Sequence, residues 1–194
     1  NVFVGAQAEV TAIVLDDDQQ PLPGIPVLLT IAGSNQGSNV VYTDAAGHAV
    51  YKYRGTSAGS DMITATVATL SRTLMATAAK SWVRVLPTIE VDGPADATQF
   101  TSGTALVING QAHAGRPEIP IASVTVNGFP VDTLDAAGNF FTRFTVPVGV
   151  THLTFVATDV YGGTATTSIA LTGVSSAVGA ADHQSLVQAT NFDG

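Results

Sequence analysis

The side chains able to do chemistry are few and scattered. The four histidines, His48, His113, His152 and His183, stand 31 to 65 residues apart along the 194-residue chain. No short HxH or HxxxH pair occurs, so spacing supports no zinc site. They read as surface or turn residues. There is no cysteine, which removes disulfides and thiolate metal ligands alike. Gly55-Thr56-Ser57-Ala58-Gly59 fits the G-x-S-x-G pattern of a nucleophile elbow. That elbow needs a strand turning sharply into a helix, with Asp and His following. Here Asp61 to Val67 alternates as a strand, so the motif reads as a strand connection and the chain as no enzyme.

Carboxylates are the commoner group. Asp outnumbers Glu twelve to three, and calcium prefers several carboxylate and carbonyl oxygens from loops. Asp16-Asp17-Asp18 sits at an expected turn, and Asp135 and Asp159 lie near expected strand ends. Glu90, Asp92 and Asp96 are the candidate metal ligands, for an interdomain calcium ion that would stiffen the hinge. Calcium is the one cofactor considered. The competing reading is that Asp caps turns by bonding to nearby backbone N–H groups.

Two further chemistries need particular side chains. Sugar rings stack on exposed aromatics, and the chain has one Trp, Trp82, beside Tyr42, Tyr51, Tyr53 and Tyr161. Packing in a core is the competing role, because aromatics carry much of a sandwich's burial. Tyr51 and Tyr53 share a strand face, pointing either inward or to solvent. The two lysines, Lys52 and Lys80, are the only amines available for an isopeptide bond. Lys52 alternates opposite to the tyrosines, which places it on the solvent side.

The elements that hold these groups are strands. Val and Thr number 49 together, a quarter of the chain, while charged residues are only 11%. β-Branched side chains are stiff at χ1 and suit a pleated, half-buried surface. Alternation places Ala8, Val10, Ala12 and Val14 on one face of Gln7 to Leu15, and Ile63, Ala65 and Val67 on one face of Asp61 to Val67. Further runs are Ala105 to Asn109, Ser123 to Asn127, Asn139 to Val146, Val150 to Thr158 and Thr164 to Thr172. No segment sustains a capped helical period. The expectation is all-β, with almost no helix. No apolar run approaches a membrane helix. The net charge of −8 argues against a nucleic-acid binder, which needs a basic face.

An internal repeat sets the organisation. Thr43-Asp44-Ala45-Ala46-Gly47-His48 matches Leu134-Asp135-Ala136-Ala137-Gly138-Asn139 at an offset of 91 residues. Each Asp-Ala-Ala-Gly reads as a hairpin loop with Gly in the left-handed region. A period near 90 residues is about one sandwich long. Two tandem domains follow, 1–86 and 87–173, divided near Leu86-Pro87-Thr88, with 174–194 as a linker. The first has a net charge of −1 and the remainder −7. The chain opens at Asn1 without Met or a basic leader and stops at Gly194, which is expected of a piece of a longer protein.

The first domain resembles bacterial immunoglobulin-like domains of the intimin and invasin type. Val14-Leu15-Asp16-Asp17-Asp18-Gln19-Gln20-Pro21-Leu22-Pro23-Gly24-Ile25-Pro26-Val27 (strand, Asp-rich turn, Pro-x-Pro-Gly and next strand), Thr43-Asp44-Ala45-Ala46-Gly47-His48-Ala49 and Ala58-Gly59-Ser60-Asp61-Met62-Ile63-Thr64-Ala65 carry that likeness. The second domain is similar to a divergent bacterial Ig-like or cadherin-like module through Ser123-Val124-Thr125-Val126-Asn127-Gly128 and Ala157-Thr158-Asp159-Val160-Tyr161-Gly162-Gly163. The Asp-x-Asn-Asp-Asn calcium linker of cadherins is absent. The resemblance implies Greek-key sandwiches, no catalytic residues, and repeated extracellular modules.

The expected function is therefore a non-catalytic, adhesin-like spacer or presenting segment of a bacterial surface or secreted protein. Neighbouring domains of the same polypeptide are its expected contacts, the segment being monomeric and free of nucleic acid and membrane insertion. The alternative is an accessory module that binds a glycan or a host-surface protein through loops or an edge strand.

Overall fold

The computed structural model describes residues 2–70 and 72–175. Its elements are strands throughout. The first seven are β1 (Val2–Phe3), β2 (Gln7–Ile13), β3 (Pro26–Gly33), β4 (Gly37–Tyr42), β5 (His48–Arg54), β6 (Gly59–Ala68) and β7 (Thr73–Val83). They form a five-stranded sheet in the order β1-β7-β6-β3-β4, faced by a sheet of β2 and β5 alone. The two-residue periodicity of a strand explains the partition. In β3, Val27, Leu29 and Ile31 point inward and are buried, while Leu28, Thr30 and Ala32 point out. Ala8, Ala49, Ile63 and Trp82 complete this core.

The next nine are β8 (Thr88–Gly93), β9 (Thr98–Thr101), β10 (Ala105–His113), β11 (Ile121–Val126), β12 (Phe129–Pro130), β13 (Thr133–Leu134), β14 (Asn139–Thr145), β15 (Gly149–Asp159) and β16 (Thr164–Val174). A four-stranded sheet, β13-β14-β10-β8, faces a five-stranded one, β12-β11-β15-β16-β9. Ile108, Leu153, Phe155 and Leu171 are fully buried between them, with Phe140 tilted against Phe155. Burying each such side chain is worth about 1.5–3 kcal/mol.

The chain is all-β: two Ig-like sandwiches with no helix among the described residues. The expected inward faces of Gln7 to Leu15 and Asp61 to Val67 are those that line the first core. Strand β3 was expected only from the resemblance, and β4 and β8 were not singled out, although Ile89 and Val91 of β8 alternate with Thr88, Glu90 and Asp92. In β3 and β4 apolar residues fall on both faces, Leu28 and Val40 being exposed. From residue 176 on, the expected linker lies outside the described residues.

Candidate functional site: the seam between the sandwiches

Four loops share one local design. In each, an Asp Oδ1 accepts the backbone N–H groups two and four residues ahead. Asp16 takes Asp18 and Gln20, Asp44 takes Ala46 and His48, and Asp135 takes Ala137 and Asn139, all at 2.8–2.9 Å. Asp159 takes Tyr161 and Gly163, both at 2.8 Å. These bonds hold the Asp44 carboxyl below the usual range, chiefly through the His48 N–H. Asp135 is lowered chiefly by its side-chain and backbone bonds from Asn139. Asp61, Asp96 and Asp132 also accept backbone N–H groups, from Asn35, Ala170 and Arg143. Backbone N–H groups thus engage seven of the twelve aspartates, four of them as turn caps.

The Asp159 loop is special in where it points. It presents Tyr161, which packs against the core of the first sandwich. Opposite stands the crossing from β1 to β2. Gly5 there donates its N–H to Gly55 at 2.7 Å, and its carbonyl accepts Arg54 Nη1 at 2.5 Å. Its φ is +88°, and an added Cβ would come within 3.0 Å of the Tyr161 ring and 3.4 Å of Ile119. Glycine is required on both counts. Ile119, from the loop between β10 and β11, is only 2% exposed.

The same loop makes two more contacts across the seam. The Arg116 guanidinium sits 4.1 Å from the centroid of the Phe3 ring, a cation–π arrangement. It also pairs with Glu118, whose carboxyl is held low by its own backbone N–H and then by Arg116. At Gly115 a Cβ would lie 2.4 Å from the Val85 carbonyl oxygen, so the two backbones run almost in contact. Pro87, in the connecting segment, is buried.

A second polar cluster lies inside the first core, just behind the seam. Asp61 is 1% exposed. Its oxygens accept Asn35 N–H at 2.8 Å, Asn35 Nδ2 at 3.0 Å, Tyr53 Oη at 3.1 Å and Trp82 Nε1 at 2.6 Å. Burial pushes its carboxyl up, but the donors of Asn35, Trp82 and Tyr53 outweigh that and hold it below the usual range. Burial, together with the bond to Asp61, raises the Tyr53 hydroxyl to about 12. Asn35 also ties down the loop after β5, accepting Thr56 and Ser57 N–H groups on Oδ1.

The residues singled out in the sequence fall as follows. Ser57 lies in that Asn35-bound loop, which leads into strand β6 and not into a helix. Trp82 is 3% exposed with its ring edge-on to Tyr53, so it offers no sugar platform. Tyr51 and Tyr53 stack at 6.2 Å on the inward face. Lys52 faces solvent and pairs with Glu9 at 3.3 Å. Lys80 stands opposite Asp61 in the ladder, whose oxygens are already taken.

Glu90 and Asp92 lie on the exposed face of β8, and Glu90 pairs with His113 at 3.1 Å. Asp96, in the following turn, accepts Ala170 N–H at 2.6 Å. Among the described residues no three His, Cys, Asp or Glu side chains gather closely enough to hold one metal ion. His48 begins β5, His152 lies on β15, and His183 lies outside the described residues. The seam residues Gly5, Gly115, Arg116 and Ile119 had no sequence signal. Only Tyr161, in its Asp-x-Tyr-Gly-Gly loop, stood in a motif.

No curated protein matches the chain. Among solved structures it is similar to fibronectin(III)-like modules of CbhA from Clostridium thermocellum, at 15% identity over 90% of this chain and 88% of that one, TM-score 0.38. It is similar to the D0–D1 domain of intimin at 15% identity, over 86% and 90%, TM-score 0.36. The adhesin InvE of Yersinia pseudotuberculosis shares 18% identity, over 88% of this chain and 56% of that one, TM-score 0.43. Residues 5–79 match the family model of the bacterial Ig-like domain (group 1), and the first sandwich of this chain is a bacterial Ig-like domain.

Proposed function

We propose that the chain is a non-catalytic spacer or presenting segment of an adhesin-like bacterial protein, surface-held or secreted. In this reading residues 1–86 and 87–173 are two Ig-like domains and 174–194 is a linker. The observation that carries it is the seam. Tyr161, Ile119, Arg116 and the glycines at 5 and 115 couple the sandwiches by apolar packing and near backbone contact. A junction filled in this way resists bending, because apolar area and a cation–π contact are lost when it opens. Interfaces between domains are otherwise mobile by default. The match of residues 5–79 to a bacterial Ig-like domain supports the bacterial and extracellular setting.

Residual dipolar couplings test the stiffness. One alignment tensor is expected to fit amides of both sandwiches, and Tyr161→Ala is expected to split it into two. Two unequal tensors in the unaltered protein would sink the spacer reading.

A further inference from the structure

The second sandwich has nine strands to the first's seven, and one of the two extra strands, β8, has a vacant counterpart position in the first. The registers of the two sandwiches align closely. Val14 donates its N–H to Gly47, and Ala112 donates its N–H to Gly138, both at 2.9 Å. Gly47 and Gly138 are the matching glycines of the repeated Asp-Ala-Ala-Gly loops, so β2 corresponds to β10 with Val14 on Ala112. At the other edge, β1 runs parallel to β7 with Val2 beside Trp82, and β9 runs parallel to β16 with Phe100 beside Gly173. Trp82 pairs with Gly59, and Gly173 with Gly149, again matching glycines. Val2 therefore corresponds to Phe100. Both correspondences are shifts of 98 residues.

In the second sandwich, β10 has two partners, β14 and β8. Thr88, Ile89, Glu90, Val91 and Gly93 stand opposite His113, Ala112, Gln111, Gly110 and Asn109. Ile89 and Val91 point inward onto the core, and β8 covers β16, where Ile169 is 7% exposed. In the first sandwich, β2 pairs with β5 only. The places that β8 would fill are the free edge of Thr11 to Leu15. Beneath that edge is an apolar cleft of about 320 Å³ lined by Val10, Ala12, Val14, Leu29, Ile63 and Leu74. Across it, β7 is exposed from Thr73 to Ala79 on both faces, Ala78 being the counterpart of the covered Ile169. An unpaired strand edge over an apolar cleft is a template for another strand.

We propose that the Thr11–Leu15 edge seats an extended strand entering Val2 from its N-terminal side. That strand runs antiparallel to β2 and carries β-branched apolar residues at two alternate positions, as Ile89 and Val91 do in β8. The shift of 98 would place the counterpart of Thr88–Gly93 ahead of residue 1, from where the strand would cross into β1 as β8 crosses into β9, the two occupying matching places. The occupant supplies main-chain bonds to β2 and two side chains to the cleft.

Hydrogen exchange on the chain, with and without a copy of Thr88–Thr98 joined ahead of Asn1, tests this. The extended chain is expected to slow alternate amides within Thr11–Leu15 by about tenfold or more, as protection follows the free energy of opening. Its melting temperature is expected to rise. Ile89→Ser together with Val91→Ser in the copied segment is expected to abolish both effects. Unchanged exchange at Thr11–Leu15 in the extended chain would overturn the proposal. So would protection of that edge in the unextended chain that disappears on dilution, because it would assign the seat to a second copy.

Discussion

Replacing Asp61 by Ala tests whether the first sandwich is pinned by its buried carboxylate. The substitution leaves Asn35 N–H, Tyr53 Oη–H and Trp82 Nε1–H without their acceptor, while Asn35 Nδ2 keeps a bond to the Ser57 carbonyl at 3.2 Å. A buried donor left unsatisfied costs about 1–3 kcal/mol. Water entering the vacated space and relief from burying a charge both offset part of the sum. The expected loss is about 3–5 kcal/mol, the range for breaking a buried charged network. A single domain has only about 5–15 kcal/mol to lose. Trp82 is the sole tryptophan, so urea unfolding followed by its emission reports on this sandwich alone. Circular dichroism then reads the second sandwich, whose midpoint is expected to hold steady. Asp61→Asn keeps one acceptor oxygen and is expected to fall between the two, which keeps the test alive if the Ala variant fails to fold. A loss below about 1 kcal/mol for Asp61→Ala would refute the reasoning, since an unsatisfied donor alone costs that much.

The same cluster makes stability depend on pH at both ends. Tyr53 is raised to about 12 in the folded protein, against about 10 unfolded. Its contribution is complete below pH 10 and is lost as pH rises to 12, about 2–3 kcal/mol in all, measurable by urea midpoints across that window and abolished in Tyr53→Phe. Asp61 is lowered on folding, so its share is present above the ordinary carboxylate range and disappears as pH falls through the folded value; Asp61→Asn flattens that acid limb. At the seam, Asp159→Ala removes the acceptor of Tyr161 and Gly163 N–H and is expected to cost about 1–3 kcal/mol, with the two sandwiches melting further apart in calorimetry. Because Glu90 and Asp96 are engaged separately with His113 and Ala170, millimolar calcium is expected to leave the melting temperature unchanged; a clear rise would support a junction calcium site at Glu90, Asp92 and Asp96.

Strand faces were legible wherever one side of a sheet is wet. Ala8, Val10 and Ala12 follow polar Gln7, Glu9 and Thr11 because β2 has one face on the core. The Asp-Ala-Ala-Gly loops were legible because an Asp cap and a left-handed glycine are local requirements that neighbours in sequence satisfy. Strand β3 was legible only through the Pro-Gly turn that precedes it, since exposed Leu28 blurs its alternation, and in β8 the alternation of Ile89 and Val91 with Glu90 and Asp92 is too short to stand out from the junction.

By itself the sequence determined the class of fold and the tandem repeat, both of which follow from periodicity and local turn chemistry. Tertiary structure alone decided the rest. The buried carboxylate draws on Asn35, Tyr53, Asp61 and Trp82, and the seam joins Phe3 and Gly5 to Arg116, Ile119 and Tyr161. These partners lie up to more than a hundred residues apart, and no local spacing encodes a contact that exists only once the sheets have packed. The free edge of β2 is likewise a property of what stands beside it, visible only when the first sandwich is set against the second.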